Sequence, residues 1–417
     1  MKKRICVLGL GYIGLPTASV LASNGFHVLG VDINPRVVDT LAKGRIHIEE
    51  PGLQTVVKAA IQSGNLHASV EPEKSDVFFI AVPTPLTSNK KADMRHIVQA
   101  AEQIVPFLEK GSLVILESTS PPGTCRNLLA PILERSGLRA GEDFGLAHCP
   151  ERVLPGRILK ELIQNDRVIG GLTKNCAQQA RDIYKTFVEG GIFLTDVTTA
   201  EMVKVIENTF RDVNIALANE TAILCERLGI NFGEVVVLAN RHPRVNLHKA
   251  GPGVGGHCIS VDPWFLVEQF PDEAKIIHAA RLRNDGMPGH VVMRTMKLIE
   301  GVDEPKVAAL GVAFKGNVDD MRESPSLQIV KQLIDLGVKV AVNDPYVKNF
   351  PFQLSSLDDC FNAADCILLL TDHDDYRYIN PRQVSKHVRH RVLFDTRGFL
   401  EHEDWREAAF QVNVLGS

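Results

Sequence analysis

Short, nearly unbroken apolar runs alternate with helical stretches along the first third of the chain. Arg4–Leu8, His27–Val31, Asp76–Val82 and Leu113–Glu117 are such runs. Continuous apolarity of this kind is what parallel strands covered on both faces require. Between them, Leu15–Asn24 and Ile97–Leu108 carry helical spacing, the first closed by Gly25 at its C-terminal end. Repeated strand–helix units predict a doubly wound parallel sheet.

The middle of the chain changes period. From Thr199 to Leu228 there is neither Gly nor Pro, and Met202, Ile206, Phe210, Val213 and Leu217 form an apolar stripe. At 1.5 Å per residue that stretch predicts a helix of about 45 Å, long enough to link two domains and to present a dimer face. The last third returns to strand–helix alternation. Lys306–Leu310, Lys339–Asn343, Asp365–Leu370 and Arg391–Phe394 read as strands. Ser324–Leu336 reads as a helix, with Ser324 as N-cap and Pro325 at the first helical position. There is a faint internal echo, since Ala-Asp365-Cys-Ile-Leu-Leu-Leu-Thr resembles Ser-Asp76-Val-Phe-Phe-Ile-Ala-Val. The expected fold class is α/β, with two Rossmann-like doubly wound domains joined by a central helical region with a long helix. The expected boundaries are 1–190, 191–300 and 301–417.

Composition narrows the class. The chain has 417 residues, 45% hydrophobic and 23% charged, which excludes disorder, collagen and coiled coil. No apolar run reaches the ~18 residues of a membrane span. The basic, apolar start MKKRICVLGLGYIG is broken by glycines and has no small-residue cleavage site, so it reads as a first strand and not a leader. A net charge of −4 disfavours binding of nucleic acid through a general basic field. Eight Cys are scattered without a CxxC, a reduced pattern with neither a disulfide framework nor a metal site. The expectation is a cytoplasmic enzyme without metal, membrane or nucleic-acid partners.

Two segments carry chemistry. Gly9-Leu-Gly11-Tyr12-Ile13-Gly14 follows a strand and opens a helix, and Asp32 lies 18 positions on at the end of the next strand. In that context GxGxxG is a dinucleotide loop: Gly9 for the tight turn, Gly11 for approach to the pyrophosphate, Gly14 for close helix packing. The helix N-terminus faces the phosphates. Asp32 is expected to accept from the adenosine ribose hydroxyls and to favour NAD over NADP, although Arg36 nearby could serve a 2′-phosphate. Thr84 and Thr119 end two further strands at the carboxyl edge, where ligands of open α/β sheets bind. The second segment is Gly251-Pro-Gly-Val-Gly255-Gly-His-Cys258-Ile-Ser-Val-Asp262. Its backbone can approach a ligand closely, and a Cys beside His257 and near Asp262 resembles an exposed nucleophile more than a core thiol. Lys204, Asn208 and Arg211 share one helix face. With Arg241-His242-Pro-Arg244 they form a cationic cluster suited to a phosphate-bearing substrate.

Together these motifs resemble the UDP-glucose/GDP-mannose dehydrogenase family across essentially the whole chain. The resemblance runs through Gly9–Gly14, Ser118-Thr119…Gly123-Thr124, Pro150-Glu151-Arg152, Lys204…Asn208…Asn219-Glu220, Gly255-Gly256-His-Cys258, Phe314-Lys315, Asp320…Arg322-Glu-Ser-Pro325 and Asp395-Thr-Arg397. It implies NAD as cofactor and two successive oxidations at C6 of a UDP-sugar. Cys258 would be the covalent nucleophile, with Lys204, Asn208, Asp262, Glu151 and Thr119 as its catalytic companions. Glu151 and Thr119 would position the hydrolytic water. The cofactor would rest on Gly9, Gly11, Tyr12, Ile13, Gly14, Asp32, Arg36, Thr84 and Thr119, with Arg322 reaching the same side. Arg152, Val153, Lys204, Asn208, Arg211, His242, Arg244, Gly255 and Lys315 would line the sugar-nucleotide pocket. Arg241 would approach a pocket across a dimer interface, as the family's arginine does, so a homodimer or higher homo-oligomer is implied. The first and last of the three expected domains would then bind NAD and UDP-sugar respectively.

One departure bears on the sugar. UDP-glucose members carry Cys-x-Pro-Lys-Asp, whereas this chain reads Cys258-Ile-Ser-Val-Asp262. That run, with Asn240–Asn246 and Pro252–Phe265, is similar to the members that oxidise UDP-N-acetyl-D-mannosamine for bacterial surface polysaccharides. UDP-N-acetylglucosamine is the nearest rival substrate. A non-catalytic NAD-binding sensor and a one-step 2-hydroxy-acid dehydrogenase also stay open. They differ in NADH released per product: two for the family reaction, none for the sensor, one for the simple dehydrogenase.

Overall fold

The structure, a computed structural model, describes residues 3–417. It divides into two compact units, Met1–Glu207 and Asn208–Ser417, the division falling inside the long helix Val197–Leu228.

The first unit holds eight strands, β1 (Arg4–Leu8), β2 (His27–Val31), β3 (Leu66–Ser69), β4 (Val77–Ile80), β5 (Leu113–Leu116), β6 (Gly145–His148), β7 (Arg167–Gly171) and β8 (Ile192–Asp196). Their order is β3-β2-β1-β4-β5-β6-β7-β8. β1 to β6 are parallel, and the order reverses between β1 and β4, where a doubly wound sheet binds its ligand. The four expected strands are present, β1 and β2 with the expected bounds and β4 and β5 with trimmed ends. The other four lacked a signal: β3 and β6 are four-residue strands containing His, and β7 begins on Arg167 and ends on two glycines. β7 also runs antiparallel to β6, with Ala147 opposite Gly171 and His148 opposite Gly170. β8 pairs with β7.

Alternate strand residues feed two apolar layers. Ile5, Val7, Phe79 and Ile115 pack with Leu15 and Leu21 of the helix Gly14–Ser23. Cys6, Leu8, Phe78 and Leu116 pack with Ile97 and Ile104 of the helix Arg95–Ile104 on the other face. Both faces being covered explains the unbroken apolar runs.

The second unit has a five-stranded parallel sheet of β9 (Lys306–Leu310), β10 (Lys339–Asn343), β11 (Cys366–Leu369), β12 (Val392–Asp395) and β13 (Gln411–Val414), in the order β10-β9-β11-β12-β13. The internal echo is structural. The Asp76 carboxylate accepts from Arg4 N–H at 2.7 Å, and Asp76 N–H donates to Arg4 O at 2.9 Å. Asp365 repeats both bonds with Lys306, at 2.8 and 2.7 Å. The turn after the first strand repeats too: Gly9 N–H reaches Val31 O, and Gly311 N–H reaches Asn343 O, each at 2.8 Å.

The helix expected over Ser324–Leu336 spans Pro325–Asp335, with Ser324 Oγ accepting from Ser326 N–H. A second long helix, Lys275–Leu298, has no counterpart in the sequence expectations, because Gly286, Pro288 and Gly289 read as breakers. Burial of Met287 and Val291 in the second unit's core overrides that local cost. Among the described residues no helix is long and apolar enough to cross a membrane. Nor is there a group of three or more His, Cys, Asp or Glu placed to hold a metal ion.

Candidate active site

In the first unit the expected cofactor residues gather at the carboxyl edge of the sheet. Gly9 has φ +88°, and a Cβ there would lie 2.6 Å from Ala81 O. A Cβ on Gly14 would lie 1.8 Å from Gly9 O, so the turn closes only with both glycines. Gly11 instead faces open space. Among the described residues no side chain caps the N-terminus of the helix Gly14–Ser23. Asp32 accepts from Leu10 N–H at 3.0 Å and Asn34 N–H at 2.9 Å, which fixes its carboxylate while leaving it half-exposed. Arg36 is exposed, on the next helix. The Thr84 hydroxyl oxygen is buried without a protein partner. An open glycine, an uncapped helix terminus, a fixed acid and an unsatisfied hydroxyl suit the pyrophosphate and ribose of a dinucleotide.

Around the neighbouring strand ends lies a polar cluster. Ser118 Oγ donates to Val82 O at 2.7 Å, joining the Thr84 and Thr119 loops. Glu201, fully buried on the long helix, accepts from Gly123 N–H at 2.5 Å and Cys125 N–H at 2.8 Å. It ties the turn carrying Lys204 to the loop carrying Thr119. Lys204 itself is buried. Glu151 is buried as well, and accepts from Arg167 Nη1 at 2.7 Å and Arg152 N–H at 2.7 Å. The Arg152 guanidinium pairs with Glu207 at 2.5 Å, and Val153 packs on the apolar core. Beneath Glu151, Glu117 is pushed up to about 7, first by burial and then by the charge of Glu151. The imidazole of His148 is held down at about 3, chiefly by burial. Glu201 and Arg167 were missed in the sequence because each binds far from itself in the chain.

In the second unit, Cys258 sits in the glycine loop just before the helix Asp262–Gln269, and its carbonyl accepts from Asp262 N–H at 2.8 Å. It is the one cysteine of eight that is not buried. The amide of Asn208 donates to Asp262 Oδ2 at 2.5 Å and accepts from Arg211. Thus Asn208, Arg211 and Asp262 form one hydrogen-bonded cluster. Cβ atoms on Gly255 or Gly256 would collide with Phe314, at 2.7 and 3.0 Å, and Gly256 N–H donates to Arg322 O at 2.8 Å. The cysteine loop therefore rests on the Phe314-Lys315 and Arg322 segments. Lys315 is exposed, and Arg322 pairs with Asp320 at 2.6 Å. Arg241, His242 and Arg244 lie on an exposed loop stapled by Asn240, whose amide bonds Leu247 N–H and O. The loop's start is fixed by Asn219, which accepts from Gly251 N–H at 2.9 Å and donates to Asn284 at 2.9 Å. Asn284 in turn donates to Asp212, which pairs with the buried Arg281.

A fixed dinucleotide loop and a half-exposed thiol beside an Asn–Asp pair make a dehydrogenase with a covalent step chemically reasonable. Comparison with known proteins decides the family. Residues 3–188 match the NAD binding domain of the UDP-glucose/GDP-mannose dehydrogenase family, 198–286 its central domain and 308–402 its UDP binding domain. The chain belongs to that family. It is therefore an enzyme, a nucleotide-sugar dehydrogenase with an NAD-binding Rossmann domain. It is 48% identical to a UDP-N-acetyl-D-mannosamine dehydrogenase of Methanococcus maripaludis, over 100% of this chain and 97% of that one. It is 47% identical to an NDP-N-acetyl-D-galactosaminuronic acid dehydrogenase of Ralstonia solanacearum, over 95% and 96%. A solved UDP-D-ManNAc dehydrogenase from Pyrococcus horikoshii matches at a TM-score of 0.93 and 42% identity, covering 99% of both chains.

Proposed function

We propose that the enzyme oxidises C6 of UDP-N-acetyl-D-mannosamine twice, giving UDP-N-acetyl-D-mannosaminuronate. The observation that carries this is Cys258: alone among eight cysteines it is accessible, and it lies in the loop whose sequence departs from the UDP-glucose pattern. The names of the Methanococcus and Pyrococcus relatives support the sugar.

NAD, held by Gly9–Gly14, Asp32, Thr84 and Thr119, supplies the hydride acceptor in both oxidations. Asp32 excludes a 2′-phosphate by charge. Lys204 and Asn208 stabilise negative charge developing on the C6 oxygen, and Lys204 relays its proton. Cys258 Sγ attacks the aldehyde carbon, and its thiol proton ends on the new hydroxyl of the thiohemiacetal. Loss of hydride from that carbon and of the hydroxyl proton leaves a thioester. Water placed by Glu151 and Thr119 then adds to the carbonyl, the C–S bond breaks, and carboxylate and thiol are released. Asp262 holds Asn208 and serves as base or water-orienting group. Arg152, Val153, Arg211, Arg241, His242, Arg244, Gly255 and Lys315 recognise the UDP-sugar. Arg322 serves the cofactor side.

NADH release from UDP-ManNAc, UDP-GlcNAc and UDP-glucose tests the reading. Two NADH per product and preference for UDP-ManNAc are expected; preference for another sugar would overturn the substrate. Repeating the assay with NADP is expected to give little activity in the wild type and a relaxed preference in Asp32→Ala. Equal use of both cofactors by the wild type would remove Asp32 from that role.

We further propose a cytoplasmic homodimer serving surface-polysaccharide synthesis. Met202, Ile206, Phe210, Leu217, Leu224 and Leu228 are exposed on the long helix, Phe210 by 64% and Leu228 by 71%. At ~100° per residue they fall within an arc of about 80°, a continuous apolar stripe with no cover in one chain. Sedimentation of Phe210→Glu/Leu217→Glu is expected to give inactive monomer. A wild-type monomer with full activity would refute the dimer.

A further inference from the structure

We infer that Arg167 is a positioning residue for thioester hydrolysis: it holds the Glu151 carboxylate that places the water. The inference rests on the proposed role of Glu151 and adds a residue to it.

The geometry begins with strand direction. Because β7 runs antiparallel to β6, its first residue lies at the carboxyl edge of the sheet, among the polar strand ends. His148 faces Gly170, and the same register carried onward sets position 167 opposite 151. The side chains meet accordingly, Arg167 Nη1 donating to Glu151 Oε2 at 2.7 Å, with Arg167 1% exposed. Arg167 Nη2 donates to Leu162 O at 3.0 Å, which sets the plane of the fork. Its Cζ lies 5.3 Å from the centre of the Tyr184 ring. Glu151 Oε1 accepts from Arg152 N–H at 2.7 Å. Each carboxylate oxygen therefore has one fixed donor and one remaining acceptor direction.

The rest of the cluster leaves this charge arrangement undisturbed. Tyr184 OH donates to Glu117 Oε1 at 2.7 Å and Thr17 Oγ1 to Oε2 at 3.3 Å, so the second buried carboxyl has its own donors. Burial, and then the charge of Glu151, push Glu117 up to about 7, and burial pushes the Cys149 thiol up to about 12. The ion pair of Arg167 within this cluster is the one with Glu151, at 2.7 Å. A lone buried carboxylate would not be held ionised and oriented without such a partner.

Loss of the pairing acts on one bond-making step. Water oxygen bonds to the thioester carbon, its proton passes toward Glu151, the C–Sγ bond breaks and the thiolate regains a proton. The preceding hydride transfers do not use that water.

The test is rapid mixing of full-length enzyme with NAD and UDP-ManNAc. Wild type is expected to release NADH without a burst. Arg167→Met is expected to give a burst approaching two NADH per site, then turnover slowed by roughly 10²-fold, with an acid-stable adduct on Cys258. Combining it with Glu151→Gln is expected to slow hydrolysis no further than Glu151→Gln alone, since both remove one function. If Arg167→Met does not fold, Arg167→Lys carries the comparison, because an ammonium cannot serve Glu151 and Leu162 O together. A folded Arg167 variant with no burst and no adduct would overturn the inference. A wild type that makes no acid would instead remove the proposed function itself.

Discussion

Cys258→Ser enzyme is expected to make no uronic acid, the rate falling by at least about 10³-fold. That loss corresponds to roughly 4 kcal/mol of barrier. The substitution changes one atom in a half-exposed loop, so folding and NAD binding are expected to survive. What changes is nucleophilicity: near neutral pH a thiol supplies some thiolate, whereas an aliphatic hydroxyl supplies essentially none. Formation of the aldehyde requires only removal of a hydride and a proton from C6, which needs no thiol. The aldehyde then lacks a transferable hydride until something adds to its carbon. NADH per sugar consumed should therefore fall from two toward one, with aldehyde trapped by a carbonyl reagent. Chromatographic detection of acid at the wild-type rate would exclude the covalent route.

Much of this site could be read from the chain because its constraints are local. A Cβ on Gly14 would strike the carbonyl of Gly9 five residues earlier, so that part of the motif is visible without the fold. Cys258 stood out through its glycine-rich surroundings, and Asn208 through helix spacing. The internal echo at Asp76 and Asp365 was visible because each carboxylate holds the start of the first strand in its own sheet. Arg167 could not be found this way. Its contact with Glu151 depends on β7 running antiparallel, and no residue pattern in Arg167–Gly171 signals direction. Glu201 was hidden similarly: on the long helix, it is buried against backbone N–H groups 76 and 78 positions away. The helix Lys275–Leu298 was obscured by Pro288, whose local cost is outweighed by buried neighbours.

The same strand end is used in opposite ways in the two sheets, and this yields the second large prediction. Asp32 and Asp344 each follow the second strand of their sheet. Asp32 stays half-exposed and suited to a ribose, whereas Asp344 is consumed by its own protein. Its carboxylate accepts from Val312 and Ala313 N–H, from Tyr346 and Val347 N–H, and from His373 Nε2 at 3.0 Å. His373 Nδ1 accepts from Asn317 N–H at 2.9 Å, which leaves Nε2 as the donor to Asp344. Burial opposes the charge, but the bonds from His373, Val312 and Val347 hold this carboxyl down at about 2, below its ordinary 3.8. With the folded value below the unfolded one, the stabilisation is complete above pH ~4 and is lost as pH falls through about 2. At ~1.4 kcal/mol per pH unit it amounts to about 2 kcal/mol. Asp344→Ala goes further, stranding several buried donors at a cost of about 3–5 kcal/mol. For a unit of this size that lowers the unfolding midpoint by roughly 10 °C. Both tryptophans, Trp264 and Trp405, lie in the second unit, so their fluorescence reports its unfolding. An unchanged midpoint in Asp344→Ala would show that the turn after β9 does not depend on this carboxylate. The expected fall would explain why the second sheet, with the same strand order as the core of the first, offers no free acid to a dinucleotide ribose.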